Sequence, residues 1–410
     1  MLTGLLLGAG ASYDAGMPLV WELSKQIRAI LTPDHIRAVN IRSRKFKLDH
    51  PDHVVENFIS ILGMESMHYE SIIGNMQNLT RRAHGKEDSQ DYHGLRLWLL
   101  DLVYAALCDR HLQFEKVIET QMRFMDGIVG LANANQPLWV FSLNHDLIIE
   151  CLAAKHGIPV NSGFPDAASL PLPGFAPSNI EAQVLTKKML TTMGLPFFQG
   201  RFGINLFKLH GSLDMFRIRD GEDYLKLIPI EQSVSGVIKT LKIVNDTLPY
   251  RYPGNPELRI SNEITYMDHD GELQFLRRSI LAGAFKYREE IPKLGVYDML
   301  DHFKADMCHV SKLVAIGYSF GDTHVNSAIR DWLELSGSRT LDIVDPYREG
   351  IPNDILHLAP QVTLHKVTAS DYLEQFSSNP LSAAEHALRK ALSQARRVTA
   401  IAPTHSDTRS

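Results

Sequence analysis

Cysteine is scarce in this chain. Cys108, Cys151 and Cys308 are the only three among 410 residues, and they stand far apart. They build neither a four-cysteine zinc module nor a disulfide framework, so no metal site is expected and a reducing cytoplasm is the natural compartment. Long apolar runs are missing too. The N-terminal Leu5-Leu6-Leu7 stretch is too short for a signal-peptide core and has no basic leader, and nothing approaches membrane-spanning length. The expectation is a cytoplasmic protein with no membrane contact. An excess of basic charge is absent as well: the formal net charge is -5. Any nucleic-acid contact would need a local patch or a partner. There is no internal repeat and no low-complexity tract.

What remains is ordinary globular composition, 44% hydrophobic and 22% charged, in a chain long enough for two or three domains. Its first distinctive stretch is an apolar run broken by Gly8, Ala9, Gly10, Ala11 and Ser12, with a helical pattern beginning at about Met17. A buried strand entering a glycine turn is how a dinucleotide-binding sheet begins. The usual fingerprint needs a third glycine where Tyr13 stands. The loop is therefore of nucleotide type without being a standard dehydrogenase loop.

Further along, short apolar runs at 138–143, 204–209, 312–319, 341–346 and 361–367 read as strands alternating with helices. The fold expected is α/β: a Rossmann-like, doubly wound parallel sheet without a zinc module. Its core is assigned to 1–33, 137–214 and 291–375. Residues 34–136 read as a helical insertion, and 157–180 as a Pro- and Gly-rich loop. Residues 215–290 read as a mixed, β-rich insertion with a hairpin turn at Asp270-Gly271. Residues 376–410 read as a basic helix and a mobile tail.

Four loops then fall at the C-terminal ends of expected parallel strands, where open α/β sheets place their chemistry. They are the 8–12 loop, Asn144-His145-Asp146, His210-Gly211-Ser212 and Gly317-Tyr318-Ser319. Singly each has a plain structural reading; Asp146, for instance, could be no more than a helix N-cap. Their order and placement together favour a site.

That order resembles the sirtuin superfamily. The matching residues are Gly8-Ala9-Gly10-Ala11-Ser12 with Ala15-Gly16-Met17-Pro18, then Asn144-His145-Asp146, His210-Gly211 and Gly317-Tyr318-Ser319. The resemblance covers about half the chain, the sheet core. Protein-deacylating sirtuins have Asp-Phe-Arg after the proline, a glutamine before the Asn loop and a four-cysteine zinc module. This chain has Leu19-Val20-Trp21, Leu143 and three scattered cysteines. The pattern is more similar to the divergent sirtuin-like, NAD-degrading proteins of bacterial anti-phage defence. Within that group it is most like the subunit that works with a HerA-type ATPase. The resemblance implies an NAD+ hydrolase with NAD as substrate, a homo-oligomer, and a HerA-type ATPase partner through which any nucleic-acid contact would come. Two alternatives stay open: an NAD-dependent protein deacylase, and a non-catalytic NAD or ADP-ribose-binding regulatory subunit.

The chemistry can also be argued from the residues. Nicotinamide in NAD+ is already a cationic leaving group, so its glycosidic bond needs no general acid. It needs an oxocarbenium-stabilising pocket and a placed water. Asn144 suits a water or a ribose hydroxyl, and Asp146 the carboxamide. His210 suits the role of base, since an imidazole titrates near neutral pH. The small residues Gly8, Ala9, Gly10, Ala11 and Ser12 would leave room for a pyrophosphate, and Gly317 is a further cofactor-binding candidate. Ser319 suits a phosphate or ribose, and Asp345 the adenosine ribose hydroxyls.

Overall fold

The computed structural model describes residues 2–83, 88–172, 179–192, 194–219, 221–247, 249–252, 255–267, 273–279 and 296–401. In chain order the strands are β1 (Thr3–Leu7), β2 (Leu138–Ser142), β3 (Val160–Asn161), β4 (Asp166–Pro171), β5 (Asn179–Leu185), β6 (Ile204–Lys208) and β7 (Met215–Ile218). They continue as β8 (Asp223–Leu227), β9 (Pro249–Tyr252), β10 (Asn255–Met267), β11 (Leu273–Arg278), β12 (Lys312–Ile316), β13 (Thr340–Val344) and β14 (Val362–His365).

Seven of them form a parallel sheet in the order β14-β13-β12-β1-β2-β6-β3. Parallel sheets are covered on both faces, so their strands are buried along their whole length and mostly apolar. The central strands obey: β2 and β6 are buried at every residue, and β1, β12 and β13 at all but the first. The edge strands β3 and β14 have no fully buried residue. From β1 the chain moves to β2 and β6 on one side, and it later returns to lay β12, β13 and β14 on the other. The order reverses between β1 and β12, and the crevice at such a reversal is where open α/β sheets bind ligands. The fold is the Rossmann-like α/β type that the sequence pattern implies.

A separate seven-stranded antiparallel sheet has the order β4-β5-β8-β7-β11-β10-β9. It closes over its own apolar cluster, including Leu170, Ile180, Phe216, Leu225 and Leu276. The stretch 157–180 that reads as loop holds β4 and the first two residues of β5, besides β3 of the parallel sheet. β4 carries only polar and small residues up to Leu170, as an exposed edge strand can. β5 alternates buried and exposed residues over NIEA before its buried end, a period hidden by the preceding Pro-rich segment. The strands flanking the expected hairpin turn pair as β10 and β11; Asp270 and Gly271 themselves lie outside the described residues.

The chain forms two compact units. The first comprises Met1–Met17, Cys108–Leu281 and Tyr287–Leu381, and it contains both sheets. The second is built mainly from Pro18–Leu107 and the C-terminal helix Ala383–Ile401. The boundary expected at 136 thus falls at Leu107, because the helices Glu115–Gln121 and Gly127–Ala134 belong to the sheet unit. A Cβ on Gly127 would lie 1.8 Å from the Leu373 carbonyl oxygen, and one on Gly130 1.7 Å from that of Phe376. Such backbone proximity is open only to glycine. In the helical unit, the C-terminal helix is more than a solvated basic face. Arg389 is buried, and Arg396 lies 3.4 Å from Glu22. The tail at 404–410 lies outside the described residues. No described helix is long and apolar enough to cross a membrane.

Under the parallel sheet, at the end of the helix Val296–Asp306, burial raises the Asp306 carboxyl from 3.8 to about 7. Its Oδ2 has no hydrogen-bond partner. A raised folded-state value means that the native state holds this proton more tightly than the unfolded chain does. The contribution is therefore fully present below the unfolded value and lost as pH rises through the folded one. Asp306→Asn, which keeps the neutral form at all pH, should match wild type in thermal denaturation at about pH 4 and exceed it at about pH 8. Equal melting temperatures at the higher pH would contradict this.

Candidate active site

The site is built on a close passage between two loops. β1 ends at Leu7, and the Gly8 N–H donates to the Ile316 carbonyl at 3.0 Å, while the Gly10 N–H donates to Gly317 at 3.1 Å. A Cβ on Gly8 would stand 2.5 Å from the Gly317 oxygen. One on Gly317 would stand 2.4 Å from Gly10 and Ala11 backbone atoms, and Gly317 has a φ of +61°. The glycines are thus required by backbone meeting backbone across the β1/β12 reversal, before any pyrophosphate is considered. The Ala11 N–H is also engaged, by Gly8, as the turn Ala9–Ser12 forms.

Asn144 follows β2 and is buried against this turn. Its Nδ2 donates to the Gly8 carbonyl at 2.8 Å and to Ser12 Oγ at 3.2 Å. A carbonyl can only accept, so the amide orientation is settled and Oδ1 is left as the acceptor for a ligand. Asp146 is buried, and its Oδ1 accepts from the Ile148 N–H at 3.1 Å. That oxygen thus holds the first N–H of the helix Ile148–His156, whose N-cap residue is Leu147 and not Asp146, the N-cap of the plain reading. His145 lies with Nδ1 3.5 Å from the Gly211 carbonyl, on the side of the next loop. His111, wholly buried, accepts the Leu147 N–H at 3.1 Å, so its Nε2 carries no proton.

Beneath this loop runs a buried chain of charges. Lys208, the last residue of β6, donates to the Asp146 carbonyl at 2.5 Å and lies 3.4 Å from that of Asn144. Its ammonium is 3.3 Å from Glu150 Oε2. Glu150 Oε1 accepts from Lys226 at 3.2 Å, and Lys226 reaches Asp214 at 2.5 Å. Burial works against the Lys226 ammonium, but Asp214 and Glu150 outweigh it and hold its pKa above the ordinary lysine value.

His210, after β6, lies with Nε2 3.3 Å from Asp322 Oδ2, both largely buried. Asp322 Oδ1 meanwhile caps the helix Thr323–Glu334 through the His324 and Val325 N–H groups. One carboxylate thus anchors a helix and faces the imidazole. Tyr318 donates to Asn326 at 2.8 Å, and burial pushes its hydroxyl pKa far up. The neighbouring Phe320 has a φ of +60°, strained for an aromatic residue, and such strain collects at functional turns. Ser319 is exposed, and its carbonyl accepts from Arg348 at 2.8 Å. Arg348 Nε stands 3.9 Å from Asp345, which follows β13 and also accepts the Tyr347 N–H.

The expected residues therefore fall into neighbouring clusters. Asn144 joins the 8–12 loop, His210 joins the 317–322 loop, the two loops meet at Gly10 and Gly317, and Arg348 ties Ser319 to Asp345. Sequence reading overlooks Asp322, Arg348 and Lys208. Asp322 carries the clearest signal, an Asp just ahead of an amphipathic helix; Lys208, inside a strand pattern, carries none. Comparison of the chain with models of known protein families and with curated proteins finds no match.

Gly317→Ala tests the loop passage directly. It should lower stability by at least about 2 kcal/mol in denaturant melts, since both the φ and the space exclude a side chain. A melt within error of wild type would refute the close approach.

Proposed function

We propose that the chain is an NAD+ glycohydrolase that releases nicotinamide and ADP-ribose. The observation that carries this reading is the meeting of the Asn144 and His210 clusters at the β1/β12 reversal, the ligand crevice of this sheet type. In the reaction, water adds to the ribose C1′ as the glycosidic bond breaks. The bonding pair goes to nicotinamide, which leaves neutral, and the water loses one proton. Asn144 Oδ1 would orient the water, its Nδ2 being fixed on Gly8. His210 would take the proton, with Asp322 stabilising the imidazolium that forms. Asp146 retains Oδ2 for the nicotinamide carboxamide. Gly8, Ala9, Gly10, Ala11, Ser12 and Gly317 would line the pyrophosphate, with Ser319 beside it and the Arg348 guanidinium as its counter-charge. Asp345 suits the adenosine ribose.

The sirtuin resemblance supports the same chemistry and points to an effector of anti-phage defence in the cytoplasm. It also points to a homo-oligomer and a HerA-type ATPase partner. An assembly surface has support in the helical unit, where Ile41, Phe46 and Leu48 are more than half exposed within one short stretch. A deacylase is less well supported, given Leu19-Val20-Trp21 after Pro18.

The test is chromatographic measurement of nicotinamide from NAD+, with and without an acetyl-lysine peptide. Peptide-independent release is expected; release only with peptide would favour the deacylase, and none at all, with partner ATPase included, would sink hydrolysis. Asn144→Ala and His210→Ala should each reduce release at least about 100-fold. Asp322→Asn should retain the helix cap, because Asn caps as well as Asp, yet lower kcat about 10- to 100-fold with KM little changed. Wild-type kcat in that variant would remove Asp322 from the mechanism.

A further inference from the structure

A cavity of about 450 Å³ lies in the sheet unit, apart from the crevice just described. Helix Ile148–His156, helix Val234–Thr247 and strands β5 and β8 contribute to its walls. Its apolar wall includes Ile158, Val237 and Leu241, and its polar end is formed by Glu150, Asp214 and Lys226. The volume falls in the range of small-molecule sites.

The polar end is incomplete. Asp214 is 7% exposed; its Oδ2 takes Lys226, but Oδ1 is buried with no hydrogen-bond partner. A buried carboxylate oxygen without a donor is costly, and an occupant of the cavity that Asp214 lines is placed to supply one. Glu150 and Asp214 are already balanced by Lys208 and Lys226. A further cation would stand uncompensated, and an anion would meet Asp214. The occupant is thus uncharged, with an apolar ring for the wall and hydroxyl or amino donors for Asp214. A nucleoside has this chemistry, and a phosphorylated one does not. The same charges reach the candidate active site, since Glu150 meets Lys208, and Lys208 holds the carbonyls of Asn144 and Asp146.

We propose that this cavity is an effector site for a free nucleoside, whose occupancy is passed through Glu150 and Lys208 to the 144–146 loop. The regulatory half rests on the NAD+ hydrolase reading; the binding half does not.

The experiment is calorimetric titration of the full chain with adenosine, guanosine, cytidine and uridine, and with AMP as the charged control. In parallel, nicotinamide release is measured with each. At least one nucleoside should bind, AMP should not, and the bound nucleoside should change the rate at least about twofold. Val237→Phe fills the cavity and Asp214→Asn alters its polar end. Each should weaken binding at least about tenfold, and Val237→Phe should keep the basal rate while losing the response. No binding to folded wild-type protein, water alone at the polar end, or undiminished binding in both variants would overturn the site. Binding with an unchanged rate would overturn the coupling. Binding without any NAD+ cleavage would instead count against the hydrolase reading and leave the site standing.

Discussion

The rest of the sheet unit depends on one contact: the backbone of residues 8–10 lying against that of residue 317. The Gly10 N–H bonded to Gly317 and the Gly8 N–H bonded to Ile316 beside it fix it, and two glycines on one side and one on the other make it possible. It holds the ends of β1 and β12 together where the parallel order reverses at the centre of the sheet. Every neighbouring group takes its position from it. Asn144 is held on the Gly8 carbonyl, and Asp322, five residues past Gly317, turns to His210. A side chain at any of these glycines would separate loops that must touch.

Much of this was legible in the sequence, for identifiable reasons. The parallel strands are buried on both faces, so they stand out as short apolar runs such as LWVFS and INLFK. Residues at their ends could be named because this sheet type fixes where strand ends gather. The antiparallel sheet was harder. β4 has an edge strand's weak pattern, and recruitment of 166–185 into a sheet with β7 and β8 is a long-range event with no local signature. The unit boundary was hidden likewise: nothing in the apolar period of residues 115–134 tells which apolar surface those helices seek.

The roles of the small residues also moved. The sequence suggested that they clear space for a phosphate, and the geometry gives them a prior duty between two loops. Lys208 is a related case. It carries no signal in the sequence, but burial with Glu150 and two carbonyls turns it into a support for the loop above. A buried ion pair contributes little net stability, because desolvation offsets the attraction. What it brings here is geometric, since its lysine lies against the carbonyls of both Asn144 and Asp146.

The contact between residues 8–10 and 317 has a further consequence for synthesis. Its halves are separated by some three hundred residues of a 410-residue chain. A growing polypeptide that already carries the first glycine turn, Asn144 and His210 still lacks the strand that closes the crevice. Until β12 has left the ribosome, the contact of residues 8–10 with residue 317 cannot form on the nascent chain. The sequence distance between β1 and β12 thus sets an order of events, in which the strands on one side of the sheet are made well before the contact that completes it.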